Sequence, residues 1–198
     1  MGVPKQPFDD FAAHFIHHHI VPSLNEEVDL CVEIISDKES PRAFDGVYPA
    51  SEFSVPLADA IAEKLGLPHH GENVIKAFRN KASMRVAFEA LGVTQPRVYA
   101  TLKSDVDFSM IPETFPVVVK PVDSTGSTLV RICKNKEELR EAANAVFERK
   151  TSRITSLALS QTALVEEAIF GPEYSAECVV EDLELLHLSV TEKHLVGC

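Results

Sequence analysis

The stretch FPVVVKPVDSTGSTLV, residues 115–130, restricts the fold of this chain more than any other. Its three consecutive valines are typical of a buried strand, and that strand leads directly into Lys120 and Pro121. A lysine at the end of a buried strand costs desolvation free energy unless a negative group meets its ammonium. The position therefore predicts an anionic partner for Lys120.

Small and polar residues fill the loop that follows this strand. The loop supplies successive backbone N–H groups and hydroxyls from Ser124, Thr125, Gly126, Ser127 and Thr128. A positive φ at Gly126 would let these amides converge on an anion. Strand, lysine and loop together indicate a phosphate-binding cradle, although the GxxxxGK[ST] pattern of a Walker loop is absent. The alternative is a β-hairpin with a surface turn and a lysine whose ammonium reaches solvent.

A second informative stretch is ALVEEAIFGPEYSAE, residues 163–177. An apolar strand delivers Glu166 and Glu167, a Gly-Pro turn follows, and Glu173 comes seven residues after Glu166. Carboxylates only accept hydrogen bonds, so they suit the amino group of adenine and the hydroxyls of ribose. The alternative is a solvated acidic loop between strands.

Composition limits the classes of protein and partner. With 198 residues, 45% hydrophobic and 25% charged, the chain is an ordinary globular protein, long enough for one large domain or two small ones. A formal net charge of -11 argues against nucleic acid as a partner. We find no signal peptide and no apolar run long enough to span a membrane, so no membrane partner is expected.

The cysteines and histidines indicate neither a disulfide framework nor a metal site. Four scattered cysteines, Cys31, Cys133, Cys178 and Cys198, form no CxxC pair, which favours a reducing cytoplasm. We expect the first three to be small buried hydrophobic residues. His14, His17, His18 and His19, like the pair His69 and His70, form no HExxH pattern and are interpreted as ordinary surface or packing residues.

Periodicity predicts two kinds of architecture along the chain. A strand at 16–24, a helix at 25–37, a strand at 44–51 and a helix at 55–66 give a βαβα order, which is typical of a parallel sheet covered by helices. One continuous helix is predicted at 74–91. Beyond Pro96 we predict strands at 97–102, 115–122, 128–133 and 162–170, a helix at 136–150, and an antiparallel hairpin turning near Asp182.

Three motifs in one order carry a resemblance to a known family. RNKASMRVAFEALGVTQP, FPVVVKPVDSTGS and ALVEEAIFGPEYSAE together resemble the N-terminal part of the ATP-grasp superfamily, in its carboxylate–amine ligase branch, which includes bacterial L-amino-acid ligases and carnosine synthase. The resemblance implies an α/β and α+β fold. Its parts would be a partial, Rossmann-like preATP-grasp domain at 1–72, a connector helix at 73–95, the small lobe at 96–168 and the start of the large lobe at 169–198.

The resemblance also implies roles for individual residues. Lys81 and Lys120 match the two nucleotide lysines of the family, with Lys120 reaching the α and β phosphates. The loop at 123–128 matches the flexible lid over the phosphates and includes Ser124, Thr125, Gly126 and Ser127. Glu166 matches the residue that contacts the adenine amino group, and Glu173 matches the ribose carboxylate. The backbone of Glu167, Ala168 and Ile169 matches the hinge that binds adenine.

Two departures from the family pattern stand out. Leu129 replaces the second glycine of a GSxGV-like lid, which should stiffen the loop. The family's magnesium ligands and catalytic arginine would lie beyond Cys198, so we assign no catalytic or metal residue and expect a fragment. The segment around Glu192 and Lys193 resembles a TEK motif of the same ligases, with a surface ion pair as the alternative.

The implied chemistry is that of an ADP-forming ligase. ATP, with magnesium in the full-length enzyme, would phosphorylate a small carboxylate substrate, and an amine would attack the acyl phosphate. The chain alone is expected to bind ATP weakly without turnover. The alternative is a non-catalytic module for nucleotide sensing or interaction, with a homo-oligomer covering its open sheet edge.

Overall fold

The computed structural model describes residues 28–36, 44–105, 108, 111, 114–152 and 158–194. The chain divides into two compact units, one ending at Leu91 and the other beginning at Gly92. The domain boundaries expected at 72, 95 and 168 stay predictions. None of the helices in the described part of the chain combines the length and apolar character needed to cross a membrane.

Helices make up the described part of the first unit. They are α1 (Val28–Ser36), a 3-10 turn (Glu52–Ser54), α2 (Val55–Lys64), α3 (Glu72–Arg79) and α4 (Lys81–Ala90). Cys31 on α1 is buried with Leu57 and Ile61 on α2, because each helix turns its apolar stripe toward the other. The predicted burial of Cys31 is confirmed.

The predicted continuous helix at 74–91 is wrong, because Asn80 divides it into α3 and α4. Asn80 has an extended backbone, with φ -117° and ψ 113°. Its side-chain oxygen accepts hydrogen bonds from the N–H groups of Ala82 and Ser83, at 3.0 and 3.1 Å. An asparagine in this position caps the next helix and satisfies amides that lack a partner inside the helix.

The parallel sheet expected for the first unit is not seen among the described residues. Residues 44–50 form no strand, so the strand predicted at 44–51 is wrong. A strand requires the backbone donors and acceptors of a neighbour, and the pairs between described strands are all antiparallel. The strand predicted at 16–24 lies outside the described residues.

The second unit contains a sheet of four antiparallel strands, and the predicted strands are confirmed there. These are β1 (Val98–Leu102), β2 (Val117–Pro121), β3 (Arg131–Cys133) and β4 (Ala163–Glu167), in the spatial order β1-β4-β2-β3. Helix α5 (Lys136–Glu148) begins at an N-cap, Asn135, whose side chain accepts a hydrogen bond from the N–H of Glu138 at 2.9 Å. This agrees with the predicted helix at 136–150.

Helix α5 and one face of the sheet form the core of this unit. Val117 and Val119 on β2 are fully buried together with Leu139 and Val146 on α5. Because side chains alternate along a strand, Val118 and Lys120 lie on the opposite face. The core thus fixes which face of β2 carries the lysine.

Strands β5 (Glu173–Glu181) and β6 (Glu184–Lys193) form a separate two-stranded antiparallel sheet. Asp182 and Leu183 make the turn with φ values of 49° and 67°, so the predicted turn near Asp182 is confirmed. Cys178 is opposite Leu188, and both are exposed. The predicted burial of Cys178 is therefore wrong, because this apolar side of the hairpin has no covering layer among the described residues.

Candidate functional site

Lys120 and Glu166 form an ion pair between neighbouring strands of the four-stranded sheet. Val118 is opposite Glu166 and Lys120 is opposite Leu164, so the lysine and the glutamate are diagonal neighbours on one face. Diagonal positions lie about 7–8 Å apart, which is within reach of long side chains. The Nζ of Lys120 donates to Oε1 of Glu166.

This pair is largely shielded from solvent. Its side chains are 15% exposed for Lys120 and 5% exposed for Glu166. Lys120 thus meets a negative group, which is a carboxylate of the same chain, and its predicted contact with phosphate stays a prediction. The family motifs assign the two residues to separate ligand contacts and do not predict their pairing. The antiparallel register of β2 and β4 could have predicted the pairing, because it places Glu166 opposite Val118, two residues before Lys120.

The loop from 122 to 130 is anchored at its base to the residues before β4. The N–H of Val122 donates to the carbonyl of Thr162 at 3.1 Å, and Oδ2 of Asp123 accepts the N–H of Ser160 at 2.7 Å. After Lys120 and Pro121, the chain thus enters a loop whose first two residues are hydrogen-bonded to the segment just before β4.

Positive φ angles shape the tip of this loop. Gly126 has φ 61°, which confirms the predicted conformation, and Ser127 has φ 55°. The N–H of Thr128 donates to the carbonyl of Thr125 at 3.3 Å, and the N–H of Val130 donates to Ser127 at 3.2 Å. These two amides are therefore engaged within the loop in this conformation, whereas the predicted cradle needs amides directed at an anion.

Leu129 occupies a backbone conformation that favours glycine, with φ 59°. Its side chain is partly buried against the core of the second unit. Leu129, at the position of the second lid glycine in the resembling family, thus packs the loop against the core and still adopts the left-handed backbone conformation.

The end of β4 is tied to the start of β1. The N–H of Glu167 donates to the carbonyl of Arg97 at 2.8 Å, and Oε2 of Glu167 accepts the N–H of Arg97 at 3.1 Å. Ala168 and Ile169 lie beyond the strand, and the Ile169 side chain is 66% exposed. Of the predicted hinge residues, Glu167 therefore already has its backbone N–H hydrogen-bonded to the carbonyl of Arg97.

Glu173 and Lys81 occupy two other places in the structure. Glu173 begins β5 and pairs with Lys193 on β6, so the alternative of a surface ion pair for the TEK segment describes the arrangement seen here. Lys81 is the first residue of α4, directly after the capping Asn80, and belongs to the first unit. The structure thus brings together Lys120, Glu166 and the loop within the second unit.

The described residues contain no group of three or more histidine, cysteine, aspartate or glutamate side chains that could hold a metal ion. His14, His17, His18 and His19 lie outside the described residues. Cys133 is fully buried, as predicted, and burial raises the pKa of its thiol. Because nucleophilic attack needs the thiolate, Cys133 is a packing residue.

Comparison with known proteins agrees with the motifs. Residues 113–196 match the family model described as an ATP-grasp domain. An uncharacterised protein of Sinorhizobium fredii is 30% identical over 154 residues, which is 76% of this chain and 31% of that protein. A phosphoribosylamine–glycine ligase of Methanosphaera stadtmanae is 25% identical over 171 residues, which is 82% of this chain and 37% of that protein.

The fold has a solved counterpart. A crystal structure of an L-amino acid ligase from Bacillus licheniformis matches with a TM-score of 0.65 and 23% identity, over 88% of this chain and 39% of that one. The predicted resemblance to the ATP-grasp superfamily, in its carboxylate–amine ligase branch, is confirmed, and so is the mixed helix-and-sheet fold. The chain spans 31% to 39% of the length of these three proteins.

Proposed function

We propose that this chain binds ATP as part of an ATP-dependent carboxylate–amine ligase. The observation that carries the proposal is the distance along β2 between the predicted adenine hinge and the predicted phosphate loop. The antiparallel register places Glu167, the first residue of the predicted hinge, opposite Val117, and places Ala163 opposite Pro121 at the loop end. Four residue steps of strand span about 14 Å, a distance of the order of an extended nucleoside triphosphate. Lys120 is next to Pro121, at the loop end.

The two ends suit different parts of ATP. At the loop end, Lys120 and the small residues 124–127 offer an ammonium, hydroxyls and amides to phosphate oxygens. At the hinge end, Ala168 and Ile169 supply backbone groups for adenine, since the amide of Glu167 is bonded to Arg97. Glu173 would accept ribose hydroxyls after releasing Lys193.

The proposed reaction is phosphoryl transfer from ATP to a small carboxylate, followed by attack of an amine on the acyl phosphate. Such catalysis depends on positioning and charge neutralisation, which Lys120 would provide at the phosphates. The resemblance to ATP-grasp ligases implies magnesium, which when bound would supply positive charge to the phosphates. The described residues offer no cluster of ligands for it, so we assign no step to a metal. We propose the cytoplasm as the compartment, in keeping with the scattered cysteines.

A second candidate function, a self-associating interaction module, is favoured by the β5–β6 hairpin. Side chains on one of its sides are apolar and more than half exposed, namely Tyr174, Val180, Leu188 and Val190. A two-stranded hairpin is marginally stable alone, so a second copy with an identical apolar side would stabilise it. Sedimentation should then show a dimer that Leu188→Lys dissociates and that Ser189→Lys, which lies opposite Glu177 on the other side of the hairpin, preserves. A wild-type monomer at all concentrations would reject this candidate.

Calorimetry of ATP binding, with and without magnesium, tests the leading proposal. We expect saturable binding by the wild type and loss of that binding in Lys120→Ala. The matched control is Lys103→Ala, which removes an exposed lysine of the same unit and should bind as the wild type does. No binding by wild-type chain that circular dichroism shows to be folded would overturn the proposal.

A further inference from the structure

We propose that Leu129 is an autoinhibitory latch on the loop at 124–130, which holds that loop in a resting conformation until the phosphates of a nucleotide release it. This inference rests on the proposed ATP site and concerns the regulation of that site. Its structural basis is the Leu129 side chain, which is partly buried against the core of the second unit while its backbone has φ 59°.

The sheet holds the loop at both of its ends. On one side, the N–H of Val122 donates to the carbonyl of Thr162 at 3.1 Å, and on the other side Arg131 begins β3 opposite Val119. A loop tied at both ends redirects its amides by rotating its own backbone dihedrals, since it is not free to swing as a rigid body. Leu129 lies two residues before β3, within the part that has to rotate.

Hydrogen bonds within the loop turn two amides away from an anion. The N–H of Thr128 donates to the carbonyl of Thr125 at 3.3 Å, and the N–H of Val130 donates to the carbonyl of Ser127 at 3.2 Å. The predicted cradle needs the amide of Thr128 directed at phosphate. Because these two amides flank Leu129, turning them toward a phosphate rotates the backbone that carries its side chain. The side chain then leaves the core.

Packing and backbone strain act on the resting conformation in opposite directions. Burial of the Leu129 side chain favours it, whereas a left-handed φ disfavours it for every residue that has a Cβ. A protein that has to leave a favoured resting conformation binds its ligand with an affinity reduced by the fraction of competent molecules. Removing the packing of Leu129 should therefore raise the affinity, as expected for an autoinhibitory contact.

The phosphates should sense the latch, and the base should not. Adenine is proposed to bind at the hinge end, where Ala168 and Ile169 follow β4, whereas Lys120 and the loop are at the other end of β2. Adenosine carries no phosphate, so it binds whether the loop is resting or released. A comparison of ATP with adenosine thus separates release of the loop from a general change in the protein.

Calorimetric titration of ATP and of adenosine into the wild type, Leu129→Ala and Leu129→Gly tests the latch. Leu129→Ala loses the packing and keeps the strain of the resting conformation, so its affinity for ATP should rise about tenfold, as expected for a partly buried leucine. Leu129→Gly also loses the strain, so its rise should be smaller. The affinity for adenosine should be the same in all three proteins.

Val146→Ala is the matched control. It shortens another apolar side chain of the same core, on α5 and outside the loop, so it should lower the stability and leave both affinities at the wild-type value. Circular dichroism establishes that each variant is folded.

Each other outcome has a definite meaning. A Leu129→Ala variant that binds ATP no more tightly than the wild type would show that Leu129 does not restrain the loop. A rise that adenosine shares, or that Val146→Ala reproduces, would show a general loosening of the core. Each of these results overturns the latch and leaves the ATP site in place. No binding of ATP by any of the folded proteins overturns the proposed function, and the latch with it.

Discussion

Glu173 and Lys193 lie directly opposite each other on β5 and β6, with Nζ of Lys193 2.6 Å from Oε1 of Glu173. The carboxylate proposed for ribose is thus already paired. Its side chain is 51% exposed and that of Lys193 is 45% exposed, so solvent screens the pair and its contribution is about 0.2–1 kcal/mol. A nucleotide can therefore displace Lys193 at little cost.

Lys193→Met should raise the affinity for ATP by up to about fivefold, since the ribose hydroxyls no longer compete with an ammonium. Calorimetry measures this change, and Lys103→Ala should leave the affinity unaltered. A fall in affinity would show instead that Lys193 contacts the nucleotide, which would favour the TEK resemblance over the surface ion pair.

The buried counterpart, Lys120 with Glu166, should behave differently in stability. Lys120→Met removes the ammonium that pairs with a carboxylate only 5% exposed, and we expect the free energy of unfolding to fall by roughly 3–5 kcal/mol. In the double variant Lys120→Met/Glu166→Gln the loss should be smaller than the sum of the single losses. Urea denaturation gives all the values, and the exposed Glu173–Lys193 pair, treated in the same way, is the control. Additive losses would show that the two side chains are not coupled.

Local patterns predicted the strands of the second unit well, because the sequence of each strand indicates which of its residues are buried. Val117 and Val119 face a helix, and this follows from the period of two along β2. The break at Asn80 was missed because the apolar spacing continues through it, while the break depends on a side chain competing for backbone amides. The strand predicted at 44–51 was wrong because a strand needs a neighbouring strand to pair with, and local composition does not show whether one is present.

The candidate site was predicted residue by residue, but its internal arrangement was not. Motifs selected Lys120 and Glu166, yet their pairing depends on the register between β2 and β4, a relationship between segments 46 residues apart. The same limit explains Cys178, whose alternating strand pattern predicts burial only if another layer covers that side of the hairpin.

Gly126→Ala tests the backbone of the loop. A Cβ at Gly126 meets nothing within 4 Å, so the substitution changes only the conformational free energy at φ 61°. We expect a loss of stability of about 1–2 kcal/mol. Gly46→Ala is the matched control, because its Cβ also meets nothing and its φ lies outside the left-handed region, so it should not destabilise the chain. Equal effects of the two substitutions in urea denaturation would contradict the conformation described for the loop.

At Leu129 we expect the usual order of stability of the glycine and alanine variants to reverse. Both Leu129→Ala and Leu129→Gly remove the side chain that packs against the core, but only glycine relieves the backbone at φ 59°. At an ordinary position alanine is the more stable of the two by about 0.5–1 kcal/mol. Here we expect the glycine variant to be more stable by about 1 kcal/mol, measured by urea denaturation. A more stable alanine variant would show that residue 129 leaves the left-handed region once its side chain is removed.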